Sequence, residues 1–397
     1  MNISSVICEY NPFHNGHKLM LENMRKNGAT HIIACMSGNF TQRGDFAIFD
    51  KWRRTETALL NGADLVIELP VSFACANAER FAFGGVYILN ATGCTDTIFF
   101  GSECGDVSVL QKVCDAVTDN RISEHIAQFL SQGITFASAR EKAVCSLYDK
   151  ETSDILAQPN NILAVEYLKA IKKLNSKIVP STVKRIGTNH DSKDTFNDIA
   201  SASLIRKLIY ENDDEYMKYI PENISKLIRK EASLLPDGTR IEHLESAVIY
   251  RLRTMTERDF ALLPDISEGL ENRFISAVKN SVSYNEIVSS VKCKRYTHAR
   301  IRRCIISAFL QITQNNCPPF PPYIRILGFN NRGRDILRIM RKTADLPIIM
   351  RYADVKNLSE DCKHTFDFES KCDDIYALSG KEIYKCGKNY TGNIVIL

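Results

Sequence analysis

The segment SSVICEYNPFHNGHKLM, residues 4–20, decides how the amino-terminal half of the chain is interpreted. It begins as an apolar, strand-like run, turns at Pro12 and continues with helical spacing as far as Gly28. His14 and His17 are three residues apart, so both lie on the same side of the first helical turn. The segment therefore predicts a strand, a tight turn and a helix whose amino end carries two imidazoles.

Similar strand and helix patterns alternate through the next part of the chain. THIIACMSG, DLVIELPV, DTIFFGSE and KIVPSTVKR are predicted strands, and NAERFAFGGVYILNATG is a predicted helix. DKWRRTETALLNG is a second predicted helix, capped by Asp50 and closed by Gly62. Apolar strands joined by helices of this length predict an α/β fold, with a doubly wound parallel sheet covered on both faces.

Three regions are predicted along the chain. The sheet region spans residues 1–210, and a mainly helical region follows at residues 211–316. The Pro-rich stretch CPPFPPY, residues 317–323, then opens a small C-terminal α+β region, residues 317–397.

Composition restricts the class of protein. The 397 residues carry a formal net charge of +4, which by itself indicates no nucleic-acid partner. The 13 cysteines include no C-x-x-C pair, so no zinc or thioredoxin-type site is indicated, and no metal site is predicted. Apolar runs are too short to cross a membrane and no secretion signal is visible. We therefore expect a cytoplasmic protein, and the sequence makes no prediction of its oligomeric state.

The turn around Pro12 and Gly16 has the properties of a phosphate site. In an open parallel sheet, ligands bind beyond the carboxyl ends of the strands, where a following helix directs free N–H groups at them. Pro12 directs the chain away from the strand, and Gly16 allows a close backbone approach. A bare His-x-x-His also fits ordinary surface or core histidines. It fits a zinc pair less well, because helical zinc pairs are usually four residues apart.

These residues carry a resemblance to a known family. CEYNPFHNGHKLM is similar to the His-x-Gly-His signature of the nucleotidyltransferase superfamily, with Asn15 at the variable position. The chain as a whole resembles the bacterial tRNA(Met) cytidine acetate ligase family. Further segments similar to that family are CMSGNFTQRGDFAIFDKWRRTETALLNGADLVIELPV (35–71), FFGSE (99–103), QPNNILAVEYLKAI (158–171), SASLIRK (201–207), EGLENR (268–273) and IRILGFNNRGRDIL (324–337).

The resemblance implies a Rossmann-like nucleotidyltransferase domain over residues 1–210, in which ATP activates acetate as acetyl-adenylate. The acetyl group would then pass to the exocyclic amine of the wobble cytidine in the anticodon loop of elongator tRNA(Met), giving N4-acetylcytidine. Residues 211–316 would bind the tRNA, and residues 317–397 would contact it. Mg²⁺ is expected to accompany ATP, which supplies most of its ligands.

The resemblance also implies roles for individual residues. His14 and His17 are expected to be catalytic, through contacts with the α- and β-phosphates. SASLIR resembles the second signature of the superfamily, although Ala202-Ser203 replaces its Ser-Thr doublet. The expected ATP-binding residues are Ile7, Cys8, Glu9, Tyr10, Asn11, Pro12, Phe13, His14, Asn15, Gly16, His17, Lys18, Leu19, Met20, Gly101, Ser102, Asn160, Asn161, Arg185, Ser203 and Arg206.

Several of these positions have alternative explanations. Gly101 and Ser102 could form a simple strand-to-helix turn, and Arg185 could be a solvated surface residue. Asn160 or Asn161 could be the N-cap of a helix. One of the two asparagines is expected to contact ATP, and the sequence does not choose between them.

Polar and basic segments are candidates for binding the other substrates. In the loop SGNFTQRGD, residues 37–45, the side chains of Asn39, Gln42 and Arg43 are expected to form the acetate or cytidine pocket; an ordinary surface loop is the alternative. KCKRYTHARIRR, residues 292–303, combines six basic residues with Tyr296 and His298, either of which could stack on a base. A solvated helix face is the alternative here. The predicted tRNA-binding residues are Lys292, Lys294, Arg295, Arg300, Arg302, Arg303, Arg332 and Arg334.

Another group of basic residues begins a predicted helix and consists of Lys51, Arg53 and Arg54. Cations oppose the helix dipole there, so we expect either an anionic neighbour or a solvated face.

Three functions are compatible with the sequence. An ATP-dependent ligase that modifies RNA explains both the histidine motif and the basic segments. A small-molecule adenylyltransferase would share the motif but has no use for the basic segments. A non-catalytic RNA-binding protein could retain the fold without its chemistry. The partners expected for the ligase are ATP, acetate and tRNA, and none of the three functions involves a membrane.

Overall fold

Eight strands of the described residues form one mixed sheet. The computed structural model describes residues 1–185, 198–234, 238–267 and 269–397. The strands are β1 (Ile3–Cys8), β2 (His31–Ser37), β3 (Leu65–Leu69), β4 (Thr97–Ser102), β5 (Val179–Lys184), β6 (Ile324–Phe329), β7 (Ile348–Ile349) and β8 (Val395–Ile396). Their order across the sheet is β5-β4-β1-β2-β3-β6-β7, and β8 pairs with β6.

The first five strands run parallel, and the order of the sheet reverses at β1. On one side β1 pairs with β2, with Cys8 opposite Met36, and on the other it pairs with β4, with Val6 opposite Phe99. The chain adds β2 and β3 on one side of β1, and then β4 and β5 on the other side. This change of direction creates a topological switch point at the carboxyl ends of β1 and β4. The predicted doubly wound α/β fold is confirmed.

Helices make up most of the remaining described chain. They are α1 (Asn15–Lys26), α2 (Lys51–Leu60), α3 (Val71–Ala74), α4 (Ala78–Ala91), α5 (Val107–Val117), α6 (Ile122–Leu130), α7 (Phe136–Leu147), α8 (Lys150–Asp154), α9 (Pro159–Lys173), α10 (Ala202–Tyr210), α11 (Glu222–Leu234), α12 (Glu245–Arg253), α13 (Glu257–Ala261), α14 (Leu270–Asn280), α15 (Tyr284–Val291), α16 (His298–Leu310), α17 (Asn331–Thr343), α18 (Tyr352–Val355), α19 (Glu360–Tyr376) and α20 (Lys388–Thr391). Within the described ranges, no helix has both the length and the apolar composition that crossing a bilayer requires.

Hydrophobic cores cover both faces of the sheet. On one face Ile7 and Ile67 pack with α4, α5, α9 and α17. On the other face Cys8 and Met36 pack with α1, α2, α10 and α11. Successive residues of a strand point to opposite faces, so Ile7 and Cys8 enter different cores. This is why the strands are apolar along their whole length.

The C-terminal region contributes strands to the same sheet. β6 pairs antiparallel with β3, with Phe329 opposite Leu65, and each of its residues is buried. The sheet therefore extends beyond residue 210, where the sequence pattern was expected to end it. The physical reason is that β6 pairs with the edge of β3, which would otherwise expose unpaired N–H and C=O groups. The domain boundaries at residues 210 and 316 stay predictions.

The helical region packs against the carboxyl edge of the parallel strands. Phe40 and Phe46, in the loop that follows β2, belong to one apolar cluster with Ile301 of α16 and Tyr376 of α19. Gly44 in that loop is so close to α16 that a Cβ atom would lie 2.3 Å from the backbone nitrogen of Arg303. The start of α16 therefore lies at the same edge of the sheet as the switch point.

A buried ionic cluster joins α2 to the C-terminal region. The Lys51 ammonium is fully buried and lies 2.6 Å from a carboxylate oxygen of Glu68 and 2.6 Å from one of Asp373. Arg325 of β6 reaches Glu68 at 3.3 Å. At Lys51, the anionic neighbour expected for the start of α2 is therefore this pair of internal carboxylates and not a ligand.

Replacing Lys51 with Met tests the contribution of this cluster to stability. We expect Lys51→Met to lower the free energy of unfolding by about 3 to 5 kcal/mol, because buried Glu68 and half-buried Asp373 both lose the Lys51 cation. Urea denaturation followed by circular dichroism measures the loss. The matched control is Lys207→Met, since Lys207 forms an exposed pair with Glu211 at 3.6 Å. The control should change stability by less than about 0.5 kcal/mol. Equal losses in the two variants would contradict the role assigned to the cluster.

Candidate active site

A cavity of about 220 Å³ opens at the switch point between β1 and β4. Its walls come from the end of β1, the start of α1, the end of β4, one face of α9 and the end of β5. The expected ATP-binding residues that line it are Ile7, Cys8, Glu9, Tyr10, His14, Gly16, His17, Leu19, Met20, Gly101, Asn160 and Arg185. Segments far apart in sequence are thus brought together at one place.

Other residues of the predicted motif lie behind the cavity wall. Phe13 is packed in the core beneath α1, and Lys18 pairs at the surface with Glu22. The Asn11 side chain accepts a hydrogen bond from the Ile48 N–H at 2.7 Å, and Asn15 Nδ2 donates to the Asp198 carbonyl at 3.0 Å. Pro12 is buried and does not line the cavity either. None of these residues lines the cavity, and their expected contacts with ATP stay predictions.

The two histidines cap α1 through reciprocal hydrogen bonds. The Gly16 N–H donates to His14 Nδ1 at 3.0 Å, and the His14 N–H donates to His17 Nδ1 at 3.3 Å. The two ring centroids are 3.8 Å apart. Because each Nδ1 accepts a hydrogen bond, the proton of each neutral ring is on Nε2. Within the described residues, the Nε2–H of each imidazole has no acceptor and can donate to a ligand.

Burial keeps both imidazoles neutral. Desolvation, together with the charges of Arg185 and Arg206, lowers the pKa of His14 to about 3. Desolvation and the neighbouring His14 also lower the pKa of His17 well below its ordinary value. The rings are hydrogen-bond donors at neutral pH, and the positive charge beside them belongs to the arginines.

The segment SASLIR, which resembles the second signature, is hydrogen-bonded directly to the segment that carries His14 and His17. Arg206 Nη1 donates to the carbonyl oxygen of Asn11 at 2.7 Å, which brings the start of α10 next to His14. Ser201 caps α10, since its Oγ accepts a hydrogen bond from the Leu204 N–H at 3.2 Å, and Ser203 Oγ lies 3.0 Å from it. Arg185, Ile199 and Ala200 line the cavity, whereas the expected contacts Ser203 and Arg206 lie behind this lining, with Arg206 close enough to His14 to lower its pKa. Guanidinium donors such as these two suit a phosphate chain.

Two glycines keep the cavity open. A Cβ atom on Gly16 would lie 2.9 Å from His14 Cε1 and would displace the ring. At Gly101 a Cβ atom would lie 3.2 Å from Arg185 Cγ and 3.7 Å from Met20 Cε. The backbone of β4 is therefore accessible between Arg185 and Met20, and a larger residue at Gly101 would fill that space.

The structure distinguishes between the two asparagines at the start of α9. Asn160 lines the cavity, and its Nδ2 donates to Glu103 Oε1 at 2.6 Å. Asn161 is buried, and its Oδ1 accepts hydrogen bonds from the N–H groups of Glu103 at 2.9 Å and Cys104 at 3.1 Å. The geometry therefore favours Asn160 as the ligand contact, whereas Asn161 holds the turn after β4.

Ser102 also belongs to that turn and not to the cavity. It is fully buried, its Oγ lies 2.7 Å from Thr182 Oγ1, and it accepts a hydrogen bond from the Gly105 N–H at 3.0 Å. The expected contact between the Ser102 hydroxyl and a nucleotide conflicts with this position, because the hydroxyl already has protein partners.

The loop after β2 is held in place by its polar side chains. Asn39 Oδ1 accepts a hydrogen bond from the Lys51 N–H at 2.7 Å, and Asn39 Nδ2 donates to Asp373 at 2.8 Å. Gln42 Nε2 donates to the Ala76 carbonyl at 3.3 Å. Asn39 and Gln42 do not line the cavity and their amides are used within the protein, which corrects the acetate or cytidine pocket expected from them. Arg43 is half-buried on the same loop.

The basic segment 292–303 is only partly accessible. Lys294, Arg295 and Arg302 are exposed, and Lys292 Nζ donates to the neighbouring Cys293 carbonyl at 2.9 Å. Arg300 and Arg303 instead bind Asp265, through its carbonyl at 2.9 Å and its carboxylate at 2.7 Å. These two arginines attach α16 to the preceding loop, so they cannot be treated as free cations for RNA.

The expected stacking role of Tyr296 is wrong. Its side chain is 3% exposed and lies in the core of the helical region. The Arg300 guanidinium lies 5.2 Å from its ring centroid. His298 remains exposed at the start of α16.

Arg332 and Arg334 lie at the opposite edge of the sheet from the cavity. Both are exposed at the start of α17. Because β6 runs antiparallel to β3, α17 begins near the amino ends of the parallel strands, where the Asn330 N–H donates to the Asp64 carbonyl at 3.0 Å. They therefore do not join the accessible cations of segment 292–303.

The cavity is also lined by residues that do not belong to the His-x-Gly-His motif. One face of α9 contributes Asn160, Leu163 and Tyr167 to the cavity. The helical spacing from Asn160 could have identified Leu163 and Tyr167. Strand pairing brings most of the other additional lining residues to the cavity, and no local sequence pattern predicts them. The remaining additional lining residues are Val6, Asn23, Phe100, Val183, Lys184, Ile199 and Ala200.

No group of three or more His, Cys, Asp or Glu side chains in the described part of the chain is arranged to hold a metal ion. The expected Mg²⁺ would therefore depend on the phosphates of a bound nucleotide for most of its ligands.

Comparison with known proteins agrees with this geometry. A family model described as HIGH Nucleotidyl Transferase matches residues 1–390. A tRNA(Met) cytidine acetate ligase of Thermoanaerobacter sp. (strain X514) is 39% identical over 404 residues, covering 100% of both chains. The protein of the same name from Acetivibrio thermocellus is 36% identical over 415 residues, again with 100% of both chains covered.

The chain belongs to the tRNA(Met) cytidine acetate ligase family.

Solved structures in this family extend the similarity to the fold. The apo crystal structure of Thermotoga maritima TmcAL is 32% identical, covers 100% of both chains and has a TM-score of 0.95. The same protein bound with alpha-thio ATP is 32% identical, with a TM-score of 0.93 and 100% of both chains covered. The family resemblance of the sequence motifs is thereby confirmed.

The low pKa of His14 predicts an acid-dependent loss of stability. The unfolded chain takes up a proton at His14 near the ordinary value of 6.5, whereas the folded protein does so near 3. Stability therefore falls as the pH drops through 6.5. Between about pH 7 and about pH 5, we expect His14 to contribute about 2 kcal/mol to that loss.

Urea unfolding at both pH values, without nucleotide, measures this contribution. His14→Asn should lose about 2 kcal/mol less than wild type on acidification, because Asn can still cap the helix but does not titrate. Replacing the exposed His298 with Asn is the control and should leave the wild-type difference unchanged. If His14→Asn kept the full wild-type loss, the buried neutral state of His14 would be excluded.

Proposed function

We propose that this protein is a tRNA(Met) cytidine acetate ligase that uses ATP to activate acetate as acetyl-adenylate. The acetyl group then passes to the exocyclic amine of the wobble cytidine of elongator tRNA(Met), giving N4-acetylcytidine. The observation that carries the proposal is the switch-point cavity, where two N–H-donating imidazoles stand beside Arg185 and Arg206. The substrates are taken from the names of the full-length relatives and from the chemistry that the family resemblance implies.

The first step requires positioning and charge neutralisation. An acetate oxygen attacks the α-phosphorus of ATP, and pyrophosphate leaves with the electrons of the broken P–O bond. The Nε2–H groups of His14 and His17 donate to the α- and β-phosphates, where negative charge increases. Arg185, Arg206 and the start of α10 neutralise the leaving pyrophosphate. The adenosine lies against the backbone of Gly101, and Asn160 contacts it.

A covalent enzyme intermediate is not needed for this step. Cys8 is the nucleophilic side chain closest to the motif and lines the cavity. Burial raises the pKa of its thiol well above the ordinary value, so the reactive thiolate does not form at neutral pH. Direct attack by acetate on ATP is therefore the simpler route.

One incubation tests the proposal as a whole. The protein is supplied with ATP, Mg²⁺, labelled acetate and bulk tRNA, and the tRNA is digested to nucleosides. We expect label in N4-acetylcytidine, with AMP release that requires both acetate and tRNA. Acetate-dependent AMP release without labelled RNA would indicate a small-molecule adenylyltransferase. Binding of tRNA with neither product would indicate a non-catalytic RNA-binding protein.

Removing an imidazole tests the first step. We expect His17→Ala to lower ligase activity by about 100-fold or more, because a donor to the phosphate is lost, while tRNA affinity is kept. His364→Ala, at an exposed histidine of α19 outside the proposed substrate surfaces, is the matched control, and the labelled-acetate assay measures both variants. Activity of His17→Ala above about a tenth of wild type would contradict the role of the motif.

The accessible cations of segment 292–303 support a tRNA surface next to the cavity. Lys294, Arg295 and Arg302 are exposed, and the start of α16 contacts the loop that follows β2. The wobble base lies in a loop that is already single-stranded, so presenting it to the cavity requires little unstacking energy. We assign the anticodon arm to this surface.

The salt dependence of tRNA binding tests this surface. Replacing Arg295 and Arg302 together with Gln should weaken binding and reduce the slope of log affinity against log salt by about 1.5, since two phosphate contacts are lost. The matched control replaces Arg332 and Arg334, which lie at the opposite edge of the sheet, and should reduce the slope less. Filter binding across a salt series measures both. An unchanged slope for the first pair would exclude the surface.

A further inference from the structure

We propose that Glu9 is the general base of the second step, taking the proton from the exocyclic amine of the target cytidine. The inference rests on the proposed function. The nucleotide motif includes Glu9 among the expected ATP contacts. Its position favours the other substrate instead, for three reasons that are independent of one another.

The first reason is how Glu9 is held. It follows β1 directly, lines the cavity and is half-buried. Its carbonyl oxygen accepts a hydrogen bond from Arg54 Nη1 at 2.7 Å, and its Oε1 accepts one from the Gln42 N–H at 2.7 Å. Among the residues that the structure describes, no partner binds Oε2. Oε1 is therefore anchored, whereas no described residue occupies Oε2, which can accept a hydrogen bond from a ligand.

The second reason is where Glu9 lies between the two substrates. Of the proposed phosphate-binding groups, His14 caps α1 directly after β1, and Arg185 follows β5, which lies on the β4 side of β1. Gln42 belongs to the loop after β2, on the opposite side of β1. That loop reaches α16, where Arg303 Nη1 lies 3.5 Å from the Gln42 carbonyl. A base entering from the accessible cations of segment 292–303 would therefore meet Glu9 at the border of the nucleotide cavity.

The third reason is that the other lining side chains in the described ranges cannot take a proton. The Nδ1 atoms of His14 and His17 accept backbone hydrogen bonds and their Nε2 atoms are protonated. Burial raises the pKa values of Cys8, Tyr10 and Tyr167 well above their ordinary values, so these groups already carry their protons. Lys184 and Arg185 are cations, and Asn160 and Asn23 are amides. Glu9 is the one carboxylate among the described lining residues.

The chemistry of the second step needs such an acceptor. The lone pair of the cytidine amine is delocalised into the ring, so the amine is a weak nucleophile. It forms a C–N bond to the acetyl carbon of acetyl-adenylate, and the bond from that carbon to the phosphate oxygen breaks, releasing AMP with the electron pair. The nitrogen then carries a surplus proton, which passes to Glu9 Oε2 and afterwards to water. Proton transfer of this kind typically contributes about 10² to 10⁴-fold in rate.

Charge gives a further argument against a role in holding ATP. A carboxylate close to the phosphate chain repels it, whereas the same carboxylate attracts an N–H donor. Glu9 is therefore better suited to orient an amine than to bind a nucleotide.

The experiment separates the two half-reactions of the full-length protein. Acetate-dependent exchange of pyrophosphate into ATP reports formation of acetyl-adenylate. Single-turnover transfer from acetyl-adenylate to tRNA(Met) reports the second step. We expect Glu9→Gln to keep exchange within about threefold of wild type and to slow transfer by about 100-fold or more. Gln at this position can still accept the hydrogen bond from the Gln42 N–H, so the loop is preserved.

Two further variants make the outcome specific. Glu9→Ala should be slow in transfer and be partly restored by added formate, which can occupy the space as a free base. Asp45→Asn is the matched control, since Asp45 is a carboxylate of the same loop that does not line the cavity, and its Oδ1 accepts a hydrogen bond from the Phe46 N–H at 2.9 Å. Transfer by the control should stay within about threefold of wild type.

Other results would overturn the assignment. Transfer by Glu9→Gln within about fivefold of wild type would exclude a general base. Equal losses in exchange and transfer, or a changed Mg²⁺ requirement for exchange, would place Glu9 in nucleotide binding. Absence of both half-reactions in the wild-type protein would instead reject the proposed ligase function itself.

Discussion

The guanidinium of Arg54 is the interaction on which the carboxyl edge of the sheet depends. It is almost completely buried and donates to the carbonyl oxygens of Phe49 at 2.9 Å, Glu9 at 2.7 Å and Ser37 at 3.0 Å, and also to that of Gly38. These carbonyls terminate β1 and β2 and the loop between β2 and α2. A buried cation is tolerated only when hydrogen bonds replace its water, and here backbone oxygens do so. One side chain thereby sets the relative positions of the nucleotide turn and the neighbouring loop.

The loop after β2 connects the two halves of the proposed reaction. Asn39 attaches it to Lys51 and Asp373, Gln42 attaches it to Glu9, and Gly44 brings it against α16. Its partners come from the beginning, the helical region and the end of the chain. The loop is thus fixed at several points, and the Asn39 and Gln42 amides that help to fix it do not line the cavity.

Much of the candidate nucleotide site could be predicted from local sequence. The strand, turn and helix around His14 and His17 follow from apolar patterning and from a motif whose parts are adjacent in the chain. The roles of Asn39 and Ser102 could not be predicted in this way. Both look like available polar residues in loops, yet each is satisfied by a partner distant in sequence, Asp373 for the first and Thr182 for the second. The same holds for Tyr296, which packs in a core assembled from several helices.

By itself, the sequence determined the parallel α/β architecture and the turn that carries His14 and His17, because both arise from periodic burial and from hydrogen bonds between near neighbours. Only the tertiary structure decided which polar side chains are free to meet a ligand. It joined β6 to β3, buried Lys51 and Arg303 against distant carboxylates, separated Arg332 from the accessible cations of segment 292–303, and placed Glu9 at the cavity with Oε2 unbound by any described residue. The physical reason is that a polar group becomes available for function only after the folded chain has satisfied its own buried donors and acceptors, and those partners are chosen by packing across the whole molecule.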